Sequence, residues 1–353
     1  MAASLRYEIE HHVTGIREND LDTRFTVRRN GKVFYIEISP CRFINSPIMT
    51  KKYLAYLKVL KSGEEVLDDI YDTDVYEWVM QPFEPFFADL APNPPVNPTQ
   101  ICVTLQEYFF PTFFVFNLDI VNEELKPHLL PTNKSPYWPS FVQFDDDFLD
   151  DLETWTAFYD PAGIILSCTD PEDALFKLPK KVLIDHGQNE CFFKPCHGTV
   201  QIIEELKAYK KIHKAGLNQD PLLNLCHLYG IVMDDCDFIL GLLLTYIDCG
   251  DRPLSARVHP EDPDDPPPAI RRRWLSQIEC TLSALHNNGI IWGDVKAENI
   301  LIDRDNNAWI ADFGGGYTEG WVAKEEAGTL AGDLAGMAKL RNLLFQSTKH
   351  DIQ

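Results

Sequence analysis

The chain has 353 residues, room for about two domains, with 45% hydrophobic and 12% aromatic residues to fill a core. Its formal net charge of −22 opposes bulk attraction to nucleic-acid backbones or anionic lipid, so neither kind of partner is expected. No run of about 18 apolar residues is present, no basic-then-apolar leader opens the chain, and the nine cysteines follow no CxxC or zinc-ligand pattern; an intracellular protein, cytoplasmic or nuclear, with reduced thiols is expected.

In chain order, Arg24-Phe25-Thr26-Val27 and Val33-Phe34-Tyr35-Ile36-Glu37-Ile38 flank Asn30-Gly31, a two-residue hairpin signal. Tyr53, Leu54, Leu57 and Leu60 fall on one helical face, and Val66, Ile70, Val75 and Trp78 predict a second helix. The proline-rich run from Pro92 to Pro98 reads as an extended connector, and Thr112 to Leu118 as a buried strand. Asp145-Asp146-Asp147-Phe148-Leu149-Asp150-Asp151 reads as a solvated boundary. Residues 1–150 are therefore expected to form an α+β unit, and no chemistry suggests itself within it.

Further on, Gly163 to Leu166, Lys181 to Ile184 and Glu190 to Lys194 read as strands, and Ile202 opens a helix. Ile239 to Asp248 is a mostly apolar run ending in a polar turn, read as a buried strand. Glu261 to Pro268 is an acidic, proline-rich loop that cannot be helical. Ile270, Trp274, Ile278, Leu282 and Leu285 then step along one helical face. Arg271-Arg272-Arg273 at its start faces the acidic loop, so local charge pairing is expected there.

The most informative stretch follows. Leu285-His286-Asn287-Asn288-Gly289-Ile290-Ile291-Trp292-Gly293-Asp294-Val295-Lys296-Ala297-Glu298-Asn299 puts a carboxylate, a lysine and an amide on one short loop, and Asp312-Phe313-Gly314 follows the next apolar hairpin. Phosphoryl transfer needs an orienting or basic carboxylate for the attacking hydroxyl, oxygen ligands for magnesium, and positive charge at the transferring phosphate. Asp294 suits the first role, Asn299 and Asp312 the second, and Lys296 the third.

This stretch resembles the protein kinase superfamily, whose catalytic loop reads His-Arg-Asp-x-Lys-x-x-Asn with Asp-Phe-Gly downstream. The resemblance implies a two-lobed fold: a strand-rich small lobe and hinge over 155–248, and a helical large lobe over 249–353, truncated because the sequence ends within about one helix of Asp333. It implies that Lys194 binds nucleotide phosphates and pairs with Glu205, Glu204 being the neighbouring alternative. Leu244 would border the adenine pocket, and the backbone of Thr245, Tyr246 and Ile247 would meet the adenine edge. Asp333 resembles the aspartate that braces the catalytic-loop backbone.

Three departures stand out. Trp292-Gly293 replaces His-Arg, which leaves no arginine to pair with a phosphorylated activation loop. No glycine lies between Cys168 and Pro179, where the family has its phosphate-covering loop. No Ala-Pro-Glu separates Asp312 from Asp333, and the interval is short for a peptide platform. The stretch from about 190 to 340 looks like compact kinase-like proteins of fungi. The implied function is an ATP- and magnesium-dependent phosphotransferase acting on a hydroxyl, first of a protein serine or threonine. The alternatives are a small-molecule kinase resembling aminoglycoside and choline phosphotransferases, and a non-catalytic kinase-like binding module.

Overall fold

The computed structural model describes residues 6–15, 17, 20–93, 102–131, 142–196, 198–250, 253–258 and 265–345. The architecture is mixed α+β with several sheets. The chain divides into one unit of Met1–Pro139 with Ala162–Gly187, and another of Ser140–Pro161 with Gln188–Gln353.

The first unit is built on a mixed sheet. Strands Glu8–Thr14, Thr23–Arg29 and Lys32–Ile38 are successive antiparallel neighbours. Phe113–Val121 then lies parallel to Lys32–Ile38 and carries Phe43–Ile44 and Glu124–Leu130. Asn30 and Gly31 have φ of 47° and 73°, the two positive angles that a type I′ turn needs. Phe25, Val27, Phe34 and Ile36 are buried with Tyr53 and Leu57 of helix Pro47–Ser62, Trp78 of helix Asp72–Met80 and Phe87 of helix Glu84–Leu90.

Val66 and Ile70 do not extend that second helix. Val66–Leu67 and Ile70–Tyr71 pair as a small hairpin around Asp68 and Asp69, both with positive φ. The helix begins only at Asp72, where the Tyr71 backbone N–H donates to Asp74 at 2.9 Å. Of the proline-rich connector, 94–98 lie outside the described residues.

Residues 162–187 cluster with this first unit. Ile165–Leu166 pairs antiparallel with Lys181–Ile184. Leu105 N–H donates to the Ile164 carbonyl at 2.9 Å, Leu166 N–H to Val103 at 2.8 Å, and Gly31 N–H to Leu175 at 2.9 Å.

In the second unit, strands Ala157–Tyr159, Leu228–Met233, Phe238–Thr245 and Asn189–Pro195 are successive neighbours, and Val142–Gln143 also pairs with Phe238–Thr245. The acidic stretch near 145 is not a bare boundary but the start of helix Asp146–Glu153. Asp145 caps it by accepting from Phe148 N–H at 2.9 Å, the acidic first turn suits the helix dipole, and Leu152 is buried. Helix Thr199–Lys214 buries Ile202, Glu205, Leu206 and Tyr209. Helix Pro268–Asn287 buries Trp274, Ile278, Leu282 and Leu285, the face predicted from spacing. At its start Arg271 pairs with Asp265 and donates to the Leu344 carbonyl at 3.0 Å; residues 261–264 of the acidic loop lie outside the described residues. Hairpin Ile300–Ile302/Ala308–Ile310 and helix Leu330–Phe345 complete the unit. Among the described residues, no helix is long and apolar enough to cross a membrane.

Candidate active site

Lys194 projects from strand Asn189–Pro195, and Glu205 sits one and a half turns into helix Thr199–Lys214. The Lys194 Nζ donates to Glu205 Oε2 at 2.7 Å and to Asp312 Oδ1 at 2.9 Å. Glu205 is only 2% exposed. Burial works against the Lys194 charge, but Glu205 and Asp312 outweigh it and hold its pKa above the ordinary lysine value. Burial pushes the Glu205 carboxyl up, and Lys194 opposes that rise. Nearness to two carboxylates keeps the lysine cationic, as a phosphate-binding group requires.

Asp312 stands at a turn with φ of +62°, a left-handed angle that is uncommon outside glycine. Two groups hold it there. The Trp292 indole, 1% exposed, donates from Nε1 to both the Ala311 carbonyl (3.0 Å) and the Asp312 carbonyl (3.1 Å). Phe313 is buried edge-on to Tyr209, ring centroids 5.4 Å apart, one helical turn beyond Glu205.

Asp294, Lys296 and Asn299 form a second knot. Lys296 Nζ lies 2.6 Å from Asp294 Oδ2. Asn299 Nδ2 donates to Asp294 Oδ2 at 2.9 Å and to the Asp294 main-chain oxygen at 3.0 Å. The loop backbone is held from below by Asp333, 1% exposed, which accepts from Trp292 N–H at 2.9 Å and Gly293 N–H at 2.8 Å and lies 2.7 Å from His286 Nε2. Gly293 has φ of +87°, so the position that carries arginine in the family pattern here takes the backbone angle that favours glycine.

Asn299 uses its amide group on Asp294, which leaves its Oδ1 as a hard oxygen. Asp312 gives Oδ1 to Lys194, which leaves Oδ2. Magnesium is commonly held by one or two such oxygens together with substrate phosphates, so the donor set fits. No cluster of three or more His, Cys, Asp or Glu suited to a metal is found among the described residues.

The residues that the resemblance assigns to a hinge are tied into the sheet. Leu244 is 3% exposed and pairs in register with Phe192, two residues before Lys194. Thr245 N–H donates to the His227 carbonyl, and Thr245 Oγ1 accepts from His227 N–H, both at 2.9 Å. Ile247 is buried, and its carbonyl accepts from Cys249 N–H at 2.9 Å. Tyr246 is half-buried between them.

One site residue was not predicted. The Thr318 hydroxyl accepts from Lys296 Nζ at 3.0 Å and donates to Asp294 Oδ1 at 3.3 Å. No spacing rule marks it. Trp292 is visible in the sequence as a departure, but its bonds to the 311–312 backbone are not.

Residues 194–332 match the family model described as protein kinase domain, and the chain carries that domain over those residues. Over 61 residues the chain is 41% identical to the serine/threonine-protein kinase PKH3 of Eremothecium gossypii, covering 17% of this chain and 8% of that protein. It is 49% identical over 41 residues to human protein kinase C delta type, 12% of this chain and 6% of the relative. It is also 38% identical over 76 residues to human rhodopsin kinase GRK1, 21% and 13% respectively. The chain therefore spans only a small part of the length of the curated relatives it matches.

Proposed function

We propose that this protein is an ATP- and magnesium-dependent phosphotransferase of protein-kinase type, which moves the γ-phosphate of ATP to a hydroxyl, with serine or threonine of a protein as acceptor. One observation carries the reading. A single bonded network joins Lys194, Glu205 and Asp312 through Trp292 and the loop backbone to Asp294, Lys296 and Asn299. Phosphoryl transfer rests on positioning and electrostatics, and this network fixes both.

In this reading Lys194 holds phosphate oxygens, and Glu205 fixes the direction of its ammonium. Asn299 and Asp312 would hold magnesium, which when bound offsets phosphate charge. Asp294 orients the acceptor hydroxyl and takes its proton as the oxygen bonds to the γ-phosphorus and the bond to ADP breaks. Lys296 offsets the charge gathering on the transferred group. The Thr318 hydroxyl, between Lys296 and Asp294, supports an alcohol as the group these two side chains accept.

The short interval from Asp312 to Asp333 favours a second reading, a small-molecule acceptor. The test is a thermal shift with ATP, with and without magnesium, followed by turnover against a peptide library and a panel of small alcohols. Ligand binding to the folded state raises the midpoint. Asp294→Asn is expected to keep the nucleotide shift and lose turnover by about 10²–10⁴-fold. Asp312→Asn is expected to lose the magnesium-dependent part of the shift. Turnover on small alcohols alone selects the second reading. A wild type that binds no ATP at millimolar concentration overturns both and leaves a binding module.

A further inference from the structure

A hydroxyl of the chain itself meets both side chains to which the phosphotransferase reading gives the acceptor alcohol. Asp294 Oδ2 is taken up by Lys296 Nζ at 2.6 Å and Asn299 Nδ2 at 2.9 Å. Its Oδ1 is the oxygen left for a hydroxyl, and Thr318 Oγ1 donates to it at 3.3 Å. The same Thr318 oxygen accepts from Lys296 Nζ at 3.0 Å. A base is expected within about 2.6–3.2 Å of the oxygen it deprotonates, and such bonds are often looser before the reactants bind.

The backbone around Thr318 runs close to the Asp294–Asn299 loop. A Cβ built on Gly316 would lie 3.4 Å from Asp294 Oδ2, so a larger residue there would crowd the carboxylate. A Cβ built on Gly293 would lie 3.6 Å from the Cα atoms of both Gly315 and Gly328, so the residue before Asp294 touches the segment near both its ends. The Thr318 main-chain oxygen accepts from Trp321 N–H at 3.2 Å. The other two hydroxyls between Asp312 and helix Leu330–Phe345 are placed differently. Tyr317 is 48% exposed. Thr329 donates to the Glu326 carbonyl at 2.6 Å and accepts from Gly332 N–H at 3.1 Å.

We propose that Thr318 is a site of self-modification, to which the chain transfers one γ-phosphate from its own bound ATP. The proposal rests on the phosphotransferase reading and names a first acceptor for it. The Thr318 Oγ1–phosphorus bond forms, the bond from that phosphorus to ADP breaks, and the hydroxyl proton passes to Asp294 Oδ1. An acceptor already held in place is favoured over a free one, because well-oriented intramolecular reactions reach effective molarities of about 10⁵ M or more. The phosphorylated oxygen has no proton left to give, and its phosphate brings a charge of about −1.5 to −2 beside the Asp294 carboxylate. Transfer to this residue therefore stops at one group per chain.

The test is to treat the full chain with phosphatase, remove the phosphatase, add magnesium–ATP, and follow intact mass with fragment mapping. One phosphoryl group per chain is expected, on Thr318, with a first-order rate constant that does not change with protein concentration. Thr318→Ser should still be modified at residue 318. Thr318→Val, of similar shape but without the hydroxyl, should gain no phosphate. Asp294→Asn should slow the transfer by about 10²–10⁴-fold. A wild type whose melting midpoint rises with magnesium–ATP but which gains no phosphate overturns the proposal and leaves Thr318 as a strut between Asp294 and Lys296. Phosphate on another residue, or a rate constant that grows with protein concentration, also overturns it. Failure of the phosphotransferase reading shows separately, as a midpoint that magnesium–ATP does not move, and the proposal then falls with it.

Discussion

Trp292 sets one indole N–H against two consecutive carbonyls, and the second belongs to a residue in a left-handed conformation. Such angles cost energy and persist only where the surroundings over-determine them. Trp292→Phe keeps the buried ring and removes the N–H, leaving the Ala311 and Asp312 carbonyls short of a donor. The expected cost is about 1–3 kcal/mol. Part of it falls on the Asp312 turn, so the KM for magnesium–ATP should rise more than kcat falls. Steady-state kinetics across ATP and magnesium concentrations, beside a thermal melt, measure both; a variant with lowered stability and unchanged KM would limit Trp292 to a packing role. At this scale the sequence was legible where chemistry is local. Asp294, Lys296 and Asn299 lie within six residues, and their mutual bonds follow from that spacing. Lys194, Glu205 and Asp312 meet across 11 and 118 positions, and only the family pattern linked them beforehand. Thr318 belongs to no pattern and emerged from the turn geometry alone.

Between the two site segments lies hairpin Ile300–Ile302/Ala308–Ile310, whose turn is organised by Asp303. Its carboxylate accepts from the N–H groups of Asp305 (2.9 Å) and Asn307 (2.8 Å) and from Trp309 Nε1 (2.9 Å). Burial works against this carboxylate, but those donors outweigh it and hold its pKa below the ordinary aspartate value. A depressed folded pKa gives stability that is present above the unfolded value and lost as pH falls through the folded one. Asp303→Asn should therefore lower Tm at pH 7, by an amount equivalent to about 1–3 kcal/mol, and the gap from wild type should close as pH drops below about 4. Thermal melts from pH 3 to 7 test this, and a gap that widens on acidification would contradict it. Helix Leu330–Phe345 presses on the Asp294–Asn299 loop at Gly336, where an added Cβ would come within 2.6 Å of the Val295 Cβ and 2.9 Å of the Val295 carbonyl. Gly336→Val should cost at least about 1–3 kcal/mol through overpacking and displace Asp294, one residue before Val295. Reduced turnover together with a lowered Tm would show it, whereas wild-type behaviour in both would rule it out. Elements with one clear period were readable: the Asn30-Gly31 hairpin and the buried face of Pro268–Asn287. Val66 and Ile70 misled because four apolar residues at helical spacing also suit a hairpin followed by a helix, and Asp68 and Asp69 decide between them by turning left-handed. The helix after Asp145 was hidden because its many carboxylates masked the apolar series Phe148, Leu149, Leu152.

At the scale of the molecule, the chain passes between its two compact units three times, after Pro139, Pro161 and Gly187. Composition and pattern could not reveal this, because backbone bonds from positions far away in sequence tie residues 162–187 to the first unit. Ile164 and Leu166 bond to Leu105 and Val103. A fragment starting at residue 140 keeps residues 162–187 and all of the second unit and loses these backbone partners. It should melt below the full chain and bind a hydrophobic dye, while the full chain does not. Equal Tm and no dye binding would show that residues 1–139 contribute nothing to the folding of the remainder.

The same threading governs synthesis. Residues 1–139 leave the ribosome well before 162–187, and at about 5–20 residues per second the interval is several seconds. During that interval the Val103 carbonyl and the Leu105 N–H lack the partners they have in the complete chain. The segment 140–161, which belongs to the second unit, must be set aside while Ala162–Gly187 returns to close the first. A stalled or prematurely ended chain in this window therefore has an unfinished edge rather than a finished domain, the form that chaperones bind and that associates with its own kind.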